Sequence, residues 1–312
     1  MTATESKWTA ARIPDLTGRT FLVTGANSGL GLATTRELAG HGAHVVLAVR
    51  DEAKGRRAVA DITGAHAGAS LEVRRLDLAD LDSVKAFAAA VRADGLPVDV
   101  LVNNAGVMAP PRGLSPQGHE QQFAANHLGH FALTGLLLDL LQQGRDPRVV
   151  TVTSDLHRGG RIHFDDLTGA AKYAPMEFYR QSKFANVVFG LELDRRLRAA
   201  GSPVRSLLAH PGYTATNLQT SGPTGLTKAF ASLGNRLLAQ DVTMGALPQL
   251  YAATAPEAES GRLYGPDGWR QLRGYPAPVG PDRAASDPET ARRLWHLSEE
   301  LTGVTCTTAT PA

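Results

Sequence analysis

The sequence predicts an α/β fold: a single doubly wound parallel sheet with helices on both faces. Three observations carry this expectation. Short stretches that are apolar throughout recur along the first two thirds of the chain, the pattern of strands buried on both faces. Stretches with helical spacing separate them. The first strand runs into a glycine-rich turn that opens the first helix, Thr24-Gly25-Ala26-Asn27-Ser28-Gly29-Leu30-Gly31.

The elements follow in order. Thr20–Thr24 is short, apolar and β-branched, and Gly29–Gly40 has helical spacing. His44–Val49 reads as a second buried strand and Glu52–Ile62 as a helix. Leu71–Leu76 alternates, Ser83–Arg92 is an Ala-rich helix, and Val98–Val102 is a fourth strand. A long helical region from about Glu120 to Gln143 precedes a fifth strand, Arg148–Thr153. Pro175–Ala200 reads as a long helix closed by Gly201, which suits a left-handed cap, and Val204–Ala209 as a sixth strand. Residues 213–240 read as a substrate lid, with Leu226, Phe230, Leu233 and Leu237 at helical spacing. Residues 256–312 form an irregular tail: Pro256–Pro288 is rich in Gly and Pro and wraps the surface, and one helix follows at about Pro288–Leu301. No domain boundary interrupts the chain, so residues 1–312 read as one domain.

Composition narrows the function. The 312 residues are 43% hydrophobic and 20% charged, a globular balance long enough for one core. With 32 basic and 30 acidic side chains the net charge is +2, which offers no electrostatic case for nucleic acid or an anionic membrane. The single cysteine, Cys306, can form neither an internal disulfide nor a Cys-rich metal site, which fits a reducing compartment. The first twenty residues carry Glu5, Lys7, Arg12 and Asp15 and lack the apolar core of a signal peptide. The apolar run Phe131–Leu141 includes Asp139 and is too short to span a bilayer. These features predict a cytoplasmic protein without a metal.

The glycine turn carries the first chemistry. Glycine lets backbone approach a ligand closely, and a helix start offers free N–H groups to a pyrophosphate. The GxxxGxG spacing of Gly25, Gly29 and Gly31 resembles the short-chain dehydrogenase/reductase family in its shorter form, which implies a Rossmann-type fold. The resemblance implies cofactor contacts at Gly25, Asn27, Ser28, Gly29, Leu30 and Gly31. The second strand then ends with Val49-Arg50, where an NAD site would place a carboxylate for the ribose. A guanidinium at Arg50 suits a 2′-phosphate, so NADP(H) is the expected cofactor and NAD(H) the alternative. The resemblance also implies an adenine contact at Asp77-Leu78 and a cleft lining by Asn103-Asn104-Ala105-Gly106. Pro211-Gly212 stands where the family contacts the nicotinamide, with Thr214 and Thr216 as side-chain candidates. His210, with no partner at metal spacing, reads as structural.

Tyr179 and Lys183 stand at i and i+4 in the long helix, on one face. A nearby ammonium favours the phenolate, so the pair suits proton exchange with an alkoxide oxygen. Ser154 ends the fifth strand, where parallel sheets bind ligands, and suits a hydrogen bond to the substrate oxygen. With Asn126 these residues resemble the family's Asn–Ser–Tyr–Lys tetrad, which implies that Asn126 supports a proton relay.

The stretch between Ser154 and Tyr179 is longer than in many members and includes Arg161-Ile162-His163-Phe164-Asp165-Asp166-Leu167. It resembles the retinol-dehydrogenase-like and protochlorophyllide-reductase-like branch, which implies a hydrophobic carbonyl or alcohol substrate. His157 and His163 read as ordinary histidines of a surface loop. Alternatives are reduction of a C=C bond, for which Cys306 lies far from the cleft in sequence, and a cofactor-sensing protein, which would be expected to lose Tyr179 or Lys183. Family members often form homo-oligomers through their long helices; in this chain the Pro/Gly-rich tail is the other candidate to cover that surface.

Overall fold

The computed structural model describes residues 7–214 and 240–307. Its strands are β1 (Thr20–Thr24), β2 (His44–Val49), β3 (Ser70–Arg75), β4 (Val100–Asn103), β5 (Arg148–Val152), β6 (Arg205–Ala209), β7 (Leu263–Pro266) and β8 (Pro276–Val279). The main helices are α1 (Gly29–Gly40), α2 (Glu52–Ala65), α3 (Leu81–Ala93), α4 (Gly129–Gln142), α5 (Pro175–Ala199), α6 (Val242–Thr254) and α7 (Pro288–Thr302). One sheet runs β3-β2-β1-β4-β5-β6-β7-β8, parallel throughout except for the β7–β8 pair. Strand order reverses between β1 and β4, so a crevice opens beyond their carboxyl ends.

Burial follows from strand alternation. Phe21, Val23, Val45 and Leu47 pack with Leu38 of α1, Ile62 of α2 and Leu250 of α6. Leu22, Val46 and Leu101 pack on the other face with Phe87 of α3, Phe131 of α4 and Phe189 of α5. Helix starts are set by acidic caps: Asp51 accepts from the Lys54 N–H at 3.0 Å and Asp287 from the Thr290 N–H at 2.8 Å. Pro175 opens α5, and Gly201, at φ +64°, follows its end. The tail helix α7 covers the faces of α4 and α5. Its Trp295 meets Phe131 edge-on at 5.2 Å and stacks on Phe189 at 6.0 Å. Among the described residues, no helix is long and apolar enough to cross a membrane.

The structure departs from the sequence expectation at four places. The helix expected from Glu120 to Gln143 is three pieces: Gln121–Phe123, a wide π turn over Ala124–Leu128, and α4. The turn places Asn126 where its side chain bonds both the N–H and the carbonyl of Val107, at 2.8 and 2.9 Å. The fourth strand starts at Val100 rather than Val98, because the Asp99 carboxylate accepts the Thr20 N–H at 2.6 Å and the Arg145 N–H at 2.5 Å. The stretch Pro256–Pro288 is not only wrapping, since it supplies β7 and β8. Pro276 and Pro278 cannot donate ladder hydrogen bonds, and β8 lies at the sheet edge, where prolines are tolerated. Helix α6 has no counterpart in the sequence reading. It contains Pro248 and is buried along most of its length, so it shows no amphipathic period. The lid positions Leu226, Phe230, Leu233 and Leu237, with Thr216, lie outside the described residues.

Candidate active site

The crevice is built first by close backbone approach. Gly25 holds φ +67° and donates its N–H to the Ala48 carbonyl at 2.9 Å. A Cβ on Gly31 would stand 2.4 Å from the Gly25 carbonyl oxygen, so this crossing admits only glycine. Ser28 precedes α1 in extended conformation and its side chain makes no cap hydrogen bond. The first N–H groups of α1, from Gly29, Leu30 and Gly31, lack intrahelical acceptors by helix geometry. Asn27 is half-buried in the turn before them. The turn is tied to β4 by Thr24, whose hydroxyl accepts the N–H groups of Asn104 and Ala105, both at 2.9 Å. Asn104 in turn donates from Nδ2 to the Thr24 carbonyl at 2.7 Å. A donor-rich cradle beside an exposed Arg50 is the chemistry a dinucleotide phosphate needs. The Arg50 guanidinium makes no ion pair with another described residue. Asp77 is half-buried, its Oδ1 accepting the Ala79 N–H at 3.0 Å, and Leu78 is buried beside it.

The tetrad residues come from three elements. Asn126 donates from Nδ2 to Ser182 Oγ at 2.9 Å, and that hydroxyl donates to the Tyr179 carbonyl at 2.8 Å. Gly106 lies between Asn126 and Lys183: a Cβ there would stand 3.2 Å from Asn126 Oδ1 and 3.5 Å from Lys183 Nζ. Lys183 Nζ donates to the Val152 carbonyl at 3.2 Å, and the Lys183 carbonyl accepts from Thr153 Oγ1 at 2.8 Å. Ser154 Oγ accepts the Leu156 N–H at 3.3 Å, and the Ser154 side chain lies close enough to Tyr179 to favour its phenolate.

Burial dominates the electrostatics. Tyr179 is 7% exposed, and desolvation pushes its pKa up to about 12, with the Ser154 side chain opposing. Desolvation pushes Lys183 down to about 8. The ammonium expected to depress the tyrosine pKa stands with Nζ 5.9 Å from the Tyr179 ring centre, and in the structure burial instead raises that pKa. Tyr179 is therefore a proton holder at neutral pH.

At the far wall, Gly212 holds φ +64° with the Leu272 carbonyl 2.5 Å from where a Cβ would be. Thr214 donates from Oγ1 to the Pro211 carbonyl at 2.7 Å. His210 is buried, with Nε2 3.0 Å from Gln271 Oε1, and burial lowers its pKa to about 4. Cys306 is buried behind α4, near Gly135.

His157 is not a surface histidine: its ring is fully buried, and Nδ1 lies 2.7 Å from the Ser154 carbonyl oxygen. The signal in the sequence was its position three residues after Ser154, on the first turn of chain beyond β5. His163 is half-buried and stacks on Phe178 at 5.7 Å.

Comparison with known proteins follows the same outline. The family model described as short chain dehydrogenase matches residues 19–225. Retinol dehydrogenase 13 of Homo sapiens is 42% identical over 293 residues, covering 92% of this chain and 85% of that protein. Polyprenol dehydrogenase of Mus musculus is 42% identical over 295 residues, covering 93% and 86%. The crystal structure of an uncharacterised protein from Mycobacterium Paratuberculosis superposes with a TM-score of 0.80 at 45% identity, over 97% of this chain and 100% of that one.

Proposed function

Because the chain belongs to the short-chain dehydrogenase/reductase family, in its retinol-dehydrogenase-like branch, we propose that this oxidoreductase interconverts a carbonyl and an alcohol on a hydrophobic small molecule, with NADP(H) preferred over NAD(H). The observation that carries the reading is the convergence of Ser154, Tyr179 and Lys183 at the carboxyl end of β5, with Lys183 Nζ on the Val152 carbonyl and Ser154 beside Tyr179. When bound, the nicotinamide supplies or accepts the hydride at the carbonyl carbon.

Every other role falls to the chain. Gly25, Asn27, Ser28, Gly29, Leu30 and Gly31 would hold the pyrophosphate side, and Arg50 the 2′-phosphate. Asp77 and Leu78 would face the adenine, and Asn104, Ala105, Gly106, Pro211, Gly212 and Thr214 would wall the nicotinamide side. Tyr179, whose burial keeps it protonated, donates its phenolic proton to the developing alkoxide in reduction and takes it back in oxidation. Ser154 orients the substrate oxygen against Tyr179. Lys183, whose lowered pKa of about 8 still leaves it mainly an ammonium at neutral pH, would hold the nicotinamide ribose and return a proton towards Tyr179 through the relay, with its Nζ anchored on Val152. Asn126 holds the π turn and the Ser182 hydroxyl in place beside that relay. The named relatives, a retinol and a polyprenol dehydrogenase, support an apolar substrate. We read residues 1–312 as one domain, in the cytoplasm, as a chain with one buried and unpaired cysteine suits.

The test is a panel of aldehydes and ketones graded in chain length and charge, followed by NADPH oxidation. Each buried methylene is worth about 0.8 kcal/mol, so kcat/KM should rise about fourfold with each added carbon that the pocket buries. Tyr179→Phe should bind NADPH and lose turnover. A preference for small anionic substrates would remove the apolar reading, and near-wild-type turnover in Tyr179→Phe would remove the acid–base role.

A further inference from the structure

The chain just beyond Ser154 is held from the far end of the molecule. The His157 ring lies between two main-chain groups: the Ser154 carbonyl oxygen, 2.7 Å from Nδ1, and the Asp282 N–H, 3.1 Å from Nε2. A backbone N–H can only donate, so Nε2 accepts and the ring proton sits on Nδ1, which donates to Ser154. The Ser154 carbonyl thus receives two donors from one residue, because the His157 N–H also reaches it at 2.9 Å. The same tail segment grips the turn elsewhere. Asp282 Oδ2 accepts the Gly159 N–H at 2.9 Å, and Arg158 donates to the Gly280 carbonyl at 2.7 Å.

We infer that His157, held by the Asp282 main chain, is a positioning residue: as a neutral Nδ1–H imidazole it fixes the Ser154 backbone so that the serine hydroxyl meets Tyr179. The inference rests on the carbonyl–alcohol reading of the site. Ser154 follows the end of β5, so its own strand ladder does not hold it, and the peptide carbonyl is the handle nearest its side chain. A reacting group displaced by about 1 Å can lose on the order of a hundredfold in rate, so a clamp on that carbonyl bears on catalysis without touching substrate. The ring is surrounded by Asp155 and Asp282, which favour its charged form, and by Arg158 and His210, which oppose it. Burial outweighs them all and lowers its pKa, so the neutral form persists. A charged ring would turn an Nε2–H against the Asp282 N–H and break the clamp. Through Asp282 the tail, far from the site in sequence, completes the placement of the serine.

The test separates the two ring nitrogens. The Asn amide of His157→Asn reaches the Nδ1 position and keeps the donor to Ser154. The longer amide of His157→Gln reaches the Nε2 position and keeps only the Asp282 contact. His157→Asn should hold kcat within about threefold of wild type, whereas His157→Gln should lose about tenfold in kcat, as expected for one directed hydrogen bond. The Kd for NADPH should stay unchanged in both. Equal kcat in His157→Gln and wild type, with Tyr179→Phe inactive, overturns the inference while leaving the reading of the site intact. Turnover in Tyr179→Phe brings down the reading, and the inference with it. A second measurement needs neither variant nor activity: nitrogen-15 NMR of the wild-type histidines should show His157 as the Nδ1–H tautomer, titrating below the usual 6.5. The Nε2–H tautomer, or a midpoint at or above that value, overturns the inference.

Discussion

Replacing Gly31 by alanine tests the crossing of the first turn with the first helix. The added Cβ would stand 2.4 Å from the Gly25 carbonyl oxygen and 2.6 Å from Asn104 Nδ2. Neither neighbour yields easily. Gly25 is held at φ +67° with its N–H on the Ala48 carbonyl, and Asn104 Nδ2 is committed to the Thr24 carbonyl at 2.7 Å. Overpacking of this kind costs about 1–3 kcal/mol. Displacing Asn104 from Thr24 adds about 0.5–1.5 kcal/mol. The expected loss of stability is therefore about 2–4 kcal/mol, read as a lower urea midpoint at unchanged slope. The atoms that must shift belong to the proposed dinucleotide cradle, so NADPH affinity should fall about ten- to a hundredfold in a fluorescence titration. Gly64→Ala is the matched control. It lies in α2 with nothing within 4 Å of its Cβ position, and removing a helical glycine gains up to about 1 kcal/mol. A Gly31→Ala protein with wild-type midpoint and NADPH affinity within twofold would refute the close-approach argument.

Two further outcomes follow from the same geometry. Arg50→Ala should weaken NADPH about ten- to a hundredfold and NADH far less, as removal of a charge-assisted contact implies; equal losses for both cofactors would show that Arg50 does not read the 2′-phosphate. Lys183→Met should abolish turnover yet stabilise the fold at pH 7. Burial holds Lys183 near 8 in the folded state against 10.5 when exposed, so the unfolded chain binds more protons between those values. Wild-type stability should therefore climb with pH across that window, and the variant's advantage should shrink there; urea midpoints from pH 7 to 10 with a constant difference would remove this account.

Much of the site was legible because its signals are local. The glycine spacing of Gly25, Gly29 and Gly31 is a property of eight consecutive residues, and Tyr179 and Lys183 share a face by helix period alone. Strands β1, β2, β4, β5 and β6 announce themselves as short, mostly apolar runs because both faces of each are covered, whereas β3, at the sheet edge, shows only alternation. Other elements left no local mark. Strand β8 contains Pro276 and Pro278, and only its place at the sheet edge makes a strand of them. The π turn at Asn126 exists because Val107, from the loop beyond β4, occupies its side chain.

Sequence by itself therefore determined the parallel α/β layering, the glycine cradle and the Tyr–Lys pair, since each follows from spacing along one segment. Tertiary structure alone decided which groups titrate away from their ordinary values, because burial of Tyr179 and Lys183 comes from neighbours far along the chain. It also decided the role open to His157, whose two ring nitrogens meet main-chain groups of Ser154 and Asp282. No periodicity relates those positions; only the folding of the tail back onto the end of β5 brings them within hydrogen-bond reach.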